Sequence, residues 1–227
     1  MYMSRARLLP AVVSNKTSWK NMGNSYNIHR LVWPIFSRGA DDKRSFIYRQ
    51  ESDGKLPAFY FVSEREPEDE SGLWDIDVKQ YDPILKSGQN LSFSLRANPI
   101  VSKRDEKGKQ HRHDVVMDEK FRIKNENKRN AVYPDISEIV QTKGVEWLQK
   151  KAEKNGFLID SNKVRADSYR KHKFYKPSGK HHVSFNTIDF TGFLTVTEPE
   201  LFKQVLFNGI GPAKGFGCGL LLVRPIR

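Results

Sequence analysis

Residues 209–223 read GIGPAKGFGCGLLLV: five of the chain's fifteen glycines lie within eleven residues, and an unbroken apolar run follows them. Glycine has no Cβ, so it accepts positive φ and lets the backbone approach another surface closely. A string of glycines can also aim several N–H groups at one anion. The segment therefore predicts a tight loop held against a core by a strand at 220–223. Lys214, Gly211, Gly215 and Gly217 are its candidate contacts to a phosphate.

The charge of the chain points the same way. Thirty-nine Lys and Arg against twenty-seven Asp and Glu give a net charge of +12, which favours a polyanionic partner. At 227 residues the chain suits one large or two small domains. No apolar run approaches the ~20 residues needed to cross a bilayer, and residues 1–9 lack the pattern of a secretory signal, so no membrane partner is expected. The single cysteine, Cys218, cannot form an internal disulfide, which fits a cytoplasmic location; beside an apolar strand it predicts a buried, inert thiol.

Periodicity orders the elements. Residues 2–10 read as a first strand, and Ser25 can cap a helix that buries Ile28, Leu31 and Val32 until Pro34 ends or kinks it. Strands follow at 46–48, 59–62, 74–81 and 91–99. Residues 102–130 mix ten cations with six acids and read as a basic linker or insertion loop. A helix over 144–154 stops at Asn155-Gly156. A strand starts at Phe157, and a long hairpin spans 164–186 with its turn at 177–179. Another strand covers 188–196, and Pro199 opens a helix that leads into the glycine loop. The reading is α+β: two tandem ferredoxin-like (RRM-like) domains with antiparallel sheets. The first occupies 1–99, the linker 100–136 and the second 137–227.

Four segments carry a family resemblance: Met1–Ser4, Tyr26–Arg30, Leu95–Pro99, and Gly209–Lys214 continuing through Leu221. With them the chain resembles the CRISPR-associated repeat-processing endoribonucleases, in particular the CasE subgroup of the type I-E system. The resemblance implies the tandem RRM-like fold and a metal-independent ribonuclease that cuts repeat RNA beside its stem-loop and keeps the product. It also implies partners: the repeat stem-loop, the mature guide RNA and other subunits of a surveillance complex, with target DNA met only indirectly. A catalytically silent RNA-binding subunit of that complex, or a general RRM-like RNA-binding scaffold, stays open as an alternative.

RNA can be cut without a metal because its own 2′-hydroxyl is a nucleophile, needing only alignment and proton transfer. Histidine suits the transfer, with an unperturbed pKa of ~6.5 and a contribution of roughly 10²–10⁴-fold. Among six histidines only His29 lies in a segment shared with the family, where the matching residue is catalytic. Tyr26 stands one helical turn earlier on the same face, and the resemblance implies that it assists at the phosphate. Arg30 is a candidate for phosphate binding. Pro34 stands where another cation would be useful, which leaves a third catalytic group open. His111-X-His113 and His181-His182 lack partners at metal-ligand spacing, so no metal or other cofactor is expected. The hairpin carries Arg165, Arg170, Lys171, Lys173, Lys176 and Lys180, and predicts a thin basic ribbon able to grip the phosphates of duplex RNA. On this reading the chemistry belongs to Tyr26 and His29, and the glycine loop positions RNA from the other half of the chain.

Overall fold

The computed structural model describes residues 1–10, 25–37, 39, 42–53, 56–126, 134–176 and 181–226. The first unit begins with β1 (Tyr2–Leu8), α1 (Ser25–Val32) and a 3-10 turn (Trp33–Ile35). Pro34 is accommodated there because the helix has already given way to the tighter turn. Strands β2 (Phe46–Asp53), β3 (Leu56–Ser63) and β4 (Trp74–Gln80) complete an antiparallel sheet in the order β2-β3-β1-β4. This is the ferredoxin-like strand order. Residues 64–73 join β3 to β4 without the second helix of the motif.

Alternation along the strands sorts side chains between two faces. Ala6, Leu8, Phe46, Tyr48, Phe59 and Phe61 face α1 and pack with Val32, Ile35 and Phe36. Ile47 and Val62 face the other way, onto Leu220, with Phe207 and Leu222 beside them. That second cluster joins the two units. Burying each such large apolar side chain stabilises by about 1.5–3 kcal/mol.

The second unit repeats the strand order with longer parts. β5 (Asn90–Ala97) leads to a hairpin of β6 (Ile100–Arg104) and β7 (Gln110–Asp114), then to α2 (Val115–Glu126) and α3 (Ile136–Glu153). β8 (Phe157–Ile159), a 3-10 turn (Ser161–Lys163), β9 (Arg165–Lys176) and β10 (His181–Val196) follow. α4 (Pro199–Asn208), a 3-10 turn (Lys214–Phe216) and β11 (Leu221–Pro225) close the chain. The sheet runs β11-β5-β10, and β8 and β9 both occupy the next position along β10. Its helix-covered face buries Leu95, Ile188, Phe190, Leu194 and Leu221 against Leu148, Phe202 and Leu206. Cys218 is buried, and burial pushes its thiol up to about 12, so it remains a thiol.

Three expectations are corrected. Residues 90–97, assigned to the end of a first domain at 1–99, pair with β10 and β11 and hydrogen-bond within the second sheet. Their alternation showed a strand but carried no information on which sheet would accept it. The 100–136 linker contains β6, β7 and α2, and Val115, Val116 and Ile123 enter the second core. Their apolar side chains are sparse among charges, which disguises the elements. α3 starts at Ile136, two turns before the expected 144, with the Asp135 carboxylate capping the Ser137 N–H at 2.7 Å. Gly144 lies inside this helix because a Cβ there would meet Ala166, Phe190 and Ile188 at 3.2–3.3 Å.

Arg96, in one of the segments that carry the resemblance, is an architectural residue. It grips Asp189 through two bonds of 2.7 Å and donates to the Gln50 carbonyl at 3.1 Å, tying β5 to β2.

Candidate active site

Helix α1 stands where the two units meet. Ile28, Leu31 and Val32 anchor it in the first core. At its start, the Ser25 hydroxyl lies 3.3 Å from Nδ1 of His172 on β9, and His172 Nε2 lies 3.0 Å from the Thr187 hydroxyl on β10. Burial lowers the His172 pKa, and the charges of Arg96 and Arg170 lower it further. The next residue, Tyr26, stacks against Phe174 of β9 with centroids 6.0 Å apart and rings inclined by 23°. The helix that carries Tyr26 and His29 is therefore docked on the part of the basic hairpin nearer its turn.

The glycine loop reaches the same place. α4 ends at Gly209, with φ of 73°, and the loop turns through Ala213 (φ 59°) and Gly217 (φ 83°) on either side of the Lys214–Phe216 turn. Left-handed backbone is natural for glycine but strained at Ala213. The turn presents Phe216 to Phe174 at 5.0 Å, to Phe185 at 5.6 Å and to the edge of His29 at 6.0 Å. His29 also lies 5.2 Å from the Trp33 ring. Its imidazole thus sits in an aromatic wall built from both halves of the chain.

Gly215 is the point of convergence. A Cβ on it would stand 3.0 Å from a guanidinium nitrogen of Arg44 and 3.9 Å from Cε1 and Nδ1 of His29. The Tyr48 hydroxyl donates to the Gly215 carbonyl at 3.3 Å and fixes the turn from below. Burial raises the Tyr48 pKa well above its ordinary value, so it acts only as a neutral donor. Tyr26 and His29 lie in the other half of the chain from the loop, and the fold brings the loop beside His29.

The electrostatics favour an anion at this point. Burial lowers the Lys214 pKa, and the charges of Arg44 and Lys151 add to the effect. Burial lowers that of Arg44 as well, without removing its charge, since guanidinium does not deprotonate in proteins. Among the described residues neither Arg44 nor Lys214 forms an ion pair with a carboxylate. Two cations held together with no paired acid among the described residues invite a phosphate.

The other expected site residues are dispersed. Arg30 is exposed on α1. Arg165 pairs with Asp167 at 2.6 Å at the foot of β9. Arg170, Lys171 and Lys173 are exposed along the hairpin, whereas Lys180 and the Lys176 side chain, with the turn at 177–179, lie outside the described residues. Gly211 packs on Trp147, and Gly217 is buried against Tyr48, so both shape the loop. The N–H groups of Ile210, Phe216 and Gly219 bond within the protein, leaving the loop a narrower cradle than its glycine count suggests. Arg44, Tyr48 and Phe216 escaped the sequence reading. The one signal for Arg44 was its place two residues before β2.

Among the described residues, no three His, Cys, Asp or Glu side chains group as metal ligands, and no helix is long and apolar enough to cross a membrane.

A family model described as CRISPR associated protein matches residues 1–225. The chain is 28% identical over 203 residues to the CRISPR system Cascade subunit CasE of Escherichia coli, covering 88% of this chain and 92% of that protein. It is 27% identical over 241 residues to the CRISPR-associated endoribonuclease Cse3 of Thermus thermophilus, covering 99% and 100%. A solved structure of CRISPR endoribonuclease Cse3 bound to a 19 nt RNA superposes with a TM-score of 0.70 at 25% identity, covering 99% of this chain and 100% of that one.

Proposed function

The chain belongs to the CRISPR-associated protein family, and from that premise we propose that it is a repeat-processing endoribonuclease of the CasE type, with its reacting centre between His29, Arg44 and the Lys214–Phe216 turn. The substrate is CRISPR repeat RNA, cut beside its stem-loop. The mature guide RNA stays bound, and the protein serves as a subunit of a type I-E surveillance complex in the cytoplasm. Target DNA is met only through that guide.

The reaction needs no metal, because the RNA supplies its own nucleophile. The 2′-oxygen attacks the adjacent phosphorus as the bond to the 5′-oxygen breaks, leaving a 2′,3′-cyclic phosphate and a 5′-hydroxyl. One proton leaves the 2′-hydroxyl and one reaches the departing oxygen. His29 handles a proton at this centre, worth roughly 10²–10⁴-fold. Arg44 and Lys214 stabilise the charge that gathers on the phosphoryl oxygens, and one such preorganised donor is worth roughly 10²–10³-fold. Tyr26, held by its stack on Phe174, orients the phosphate.

The observation that carries this reading is the meeting of His29 and Arg44 at Gly215. It supplies the cation missing at Pro34. The test is His29→Ala with repeat hairpin RNA in EDTA. Cleavage is expected to disappear while the affinity for the hairpin stays within a few-fold. Cleavage at the wild-type rate would remove His29 from the mechanism, and a wild-type protein that binds but never cuts would be a silent subunit.

A further inference from the structure

The hairpin of β6 and β7 takes no part in the site above, and every residue from 102 to 113 is exposed. Its acids are largely engaged within the structure. Asp105 accepts from the N–H groups of Lys107 and Lys109 at 3.0 and 2.8 Å and lies 2.8 Å from Nε2 of His111. Lys103 is held by Asp118 of α2 at 2.6–2.7 Å. Arg104, Lys107, Lys109 and Arg112 remain, and among the described residues none of them forms an ion pair.

Strand alternation fixes where two of these cations point. Cross-strand pairs Ile100–Asp114, Ser102–Arg112 and Arg104–Gln110 put Arg104, Arg112 and Asp114 on one face of the ribbon, with Lys103 on the other. The Asp114 carboxylate accepts from the Tyr169 hydroxyl of β9 at 2.8 Å. It also caps α2 through Val116 N and Met117 N, at 3.1 and 2.9 Å. This acid is therefore committed to the junction of the two hairpins. On β9, Ser168 and Tyr169 both stand opposite Ile188 where the register shifts, and Lys171 and Lys173 alternate onward from Tyr169 in regular register. The Asp114–Tyr169 bond thus joins two ribbons along the faces that carry their cations. At ~3.4 Å per residue, Arg112 and Lys171 lie roughly 7 Å from that bond, and Arg104 and Lys173 roughly 14 Å.

We infer that the β6–β7 hairpin is a second RNA-binding arm, and that it and the Lys171/Lys173 face of the β9–β10 hairpin clamp the sugar-phosphate backbone of a paired RNA stem. The inference rests on the endoribonuclease reading and extends it to an element outside the reacting centre. Charge complementarity and continuity with the basic hairpin select the occupant. Paired RNA presents phosphates on two strands, matching cations on two joined ribbons, whereas an unpaired strand would engage only one. Base identity is not read by such a clamp, so it grips stem shape and charge.

The test is the double variant R104Q/R112Q, assayed for equilibrium binding to a repeat hairpin RNA and to an unpaired RNA of equal length, over a range of salt. Both residues are exposed, and an unchanged melting temperature verifies the fold. The slope of log affinity against log salt is expected to flatten by about 2 on the hairpin, near 0.9 per phosphate contact, and to change little on the unpaired RNA. A K171Q/K173Q variant serves as reference for the first arm. If it flattens the slope but R104Q/R112Q does not, the second arm is refuted while the endoribonuclease reading stands. Equal loss on unpaired RNA refutes the paired-stem occupant, and a loss seen only in assembly with other subunits assigns the arm to protein. Wild-type protein that neither binds nor cuts the repeat hairpin overturns both readings together.

Discussion

Two glycines of the same loop separate its catalytic geometry from its folding. At Gly215 the backbone is not left-handed, and an added Cβ crowds the end of the flexible Arg44 side chain at 3.0 Å while staying at an ordinary 3.9 Å from His29. The guanidinium must retreat by about 0.4 Å or more to restore ordinary contact. Gly215→Ala also reduces the entropy of the unfolded chain, worth about 0.4–1 kcal/mol, which offsets the local crowding. At Gly219 the backbone has φ of 93°, and a Cβ would stand 2.8 Å from the Ile210 carbonyl oxygen. That oxygen is main chain and cannot swing aside. The left-handed conformation costs alanine about 1–3 kcal/mol, and the overlap adds about 1–3 kcal/mol. Gly219→Ala should lower the melting temperature by roughly 4–24 °C in a chain of this size, whereas Gly215→Ala should shift it by less than about 2 °C. Cleavage should invert the order for Gly215→Ala. A misplacement of 1 Å costs up to about 100-fold, so a displaced Arg44 should slow single-turnover cutting by about 10-fold in a fully folded protein. Scanning calorimetry and a time course on repeat RNA measure both. Wild-type cutting by Gly215→Ala, or melting as early as Gly219→Ala, refutes the assignment of Gly215 to a packed phosphate site.

Other perturbations test separate links. Arg44→Ala should slow cleavage by roughly 10²–10³-fold with little change in melting temperature, measured under single-turnover conditions. Phe174→Ala removes the surface on which Tyr26 stacks and should lower stability by about 3–5 kcal/mol by denaturant titration, since Phe174 is buried between the units. His172, whose pKa is lowered, binds its proton less readily in the folded state than in the unfolded state. Stability should therefore be undiminished by this group above about pH 6.5 and fall as the pH drops below that value, and His172→Gln should flatten the fall.

Strand alternation made most of the second half legible. Phe157, the long 188–196 strand and the Pro199 helix all stand where the pattern placed them. Sheet membership was not legible at β5, because pairing partners lie far away in the sequence and the alternation of Leu91, Phe93 and Leu95 suits either sheet. α2 was obscured because only Val115, Val116 and Ile123 of its twelve residues are buried. At the site, the segment at Tyr26–Arg30 and the glycine run identified both parts, but not their meeting. That meeting depends on β11 closing the second sheet, with Leu220 packed on the first, which no local signal encodes. Arg44 was hidden for the same reason, since its proposed role comes from its place beside Gly215 across the domain seam. The hairpin cations read as one patch, yet alternation divides Lys171 and Lys173 from the face that His172 and Phe174 turn toward α1.

The most direct measurement is the end chemistry of the product formed by purified wild-type protein and repeat hairpin RNA in EDTA. Attack by the 2′-hydroxyl with His29 moving the proton predicts a single cut beside the stem, a 2′,3′-cyclic phosphate on one fragment and a 5′-hydroxyl on the other. Cleavage that requires a divalent cation, or a 3′-hydroxyl with a 5′-phosphate, would contradict the account.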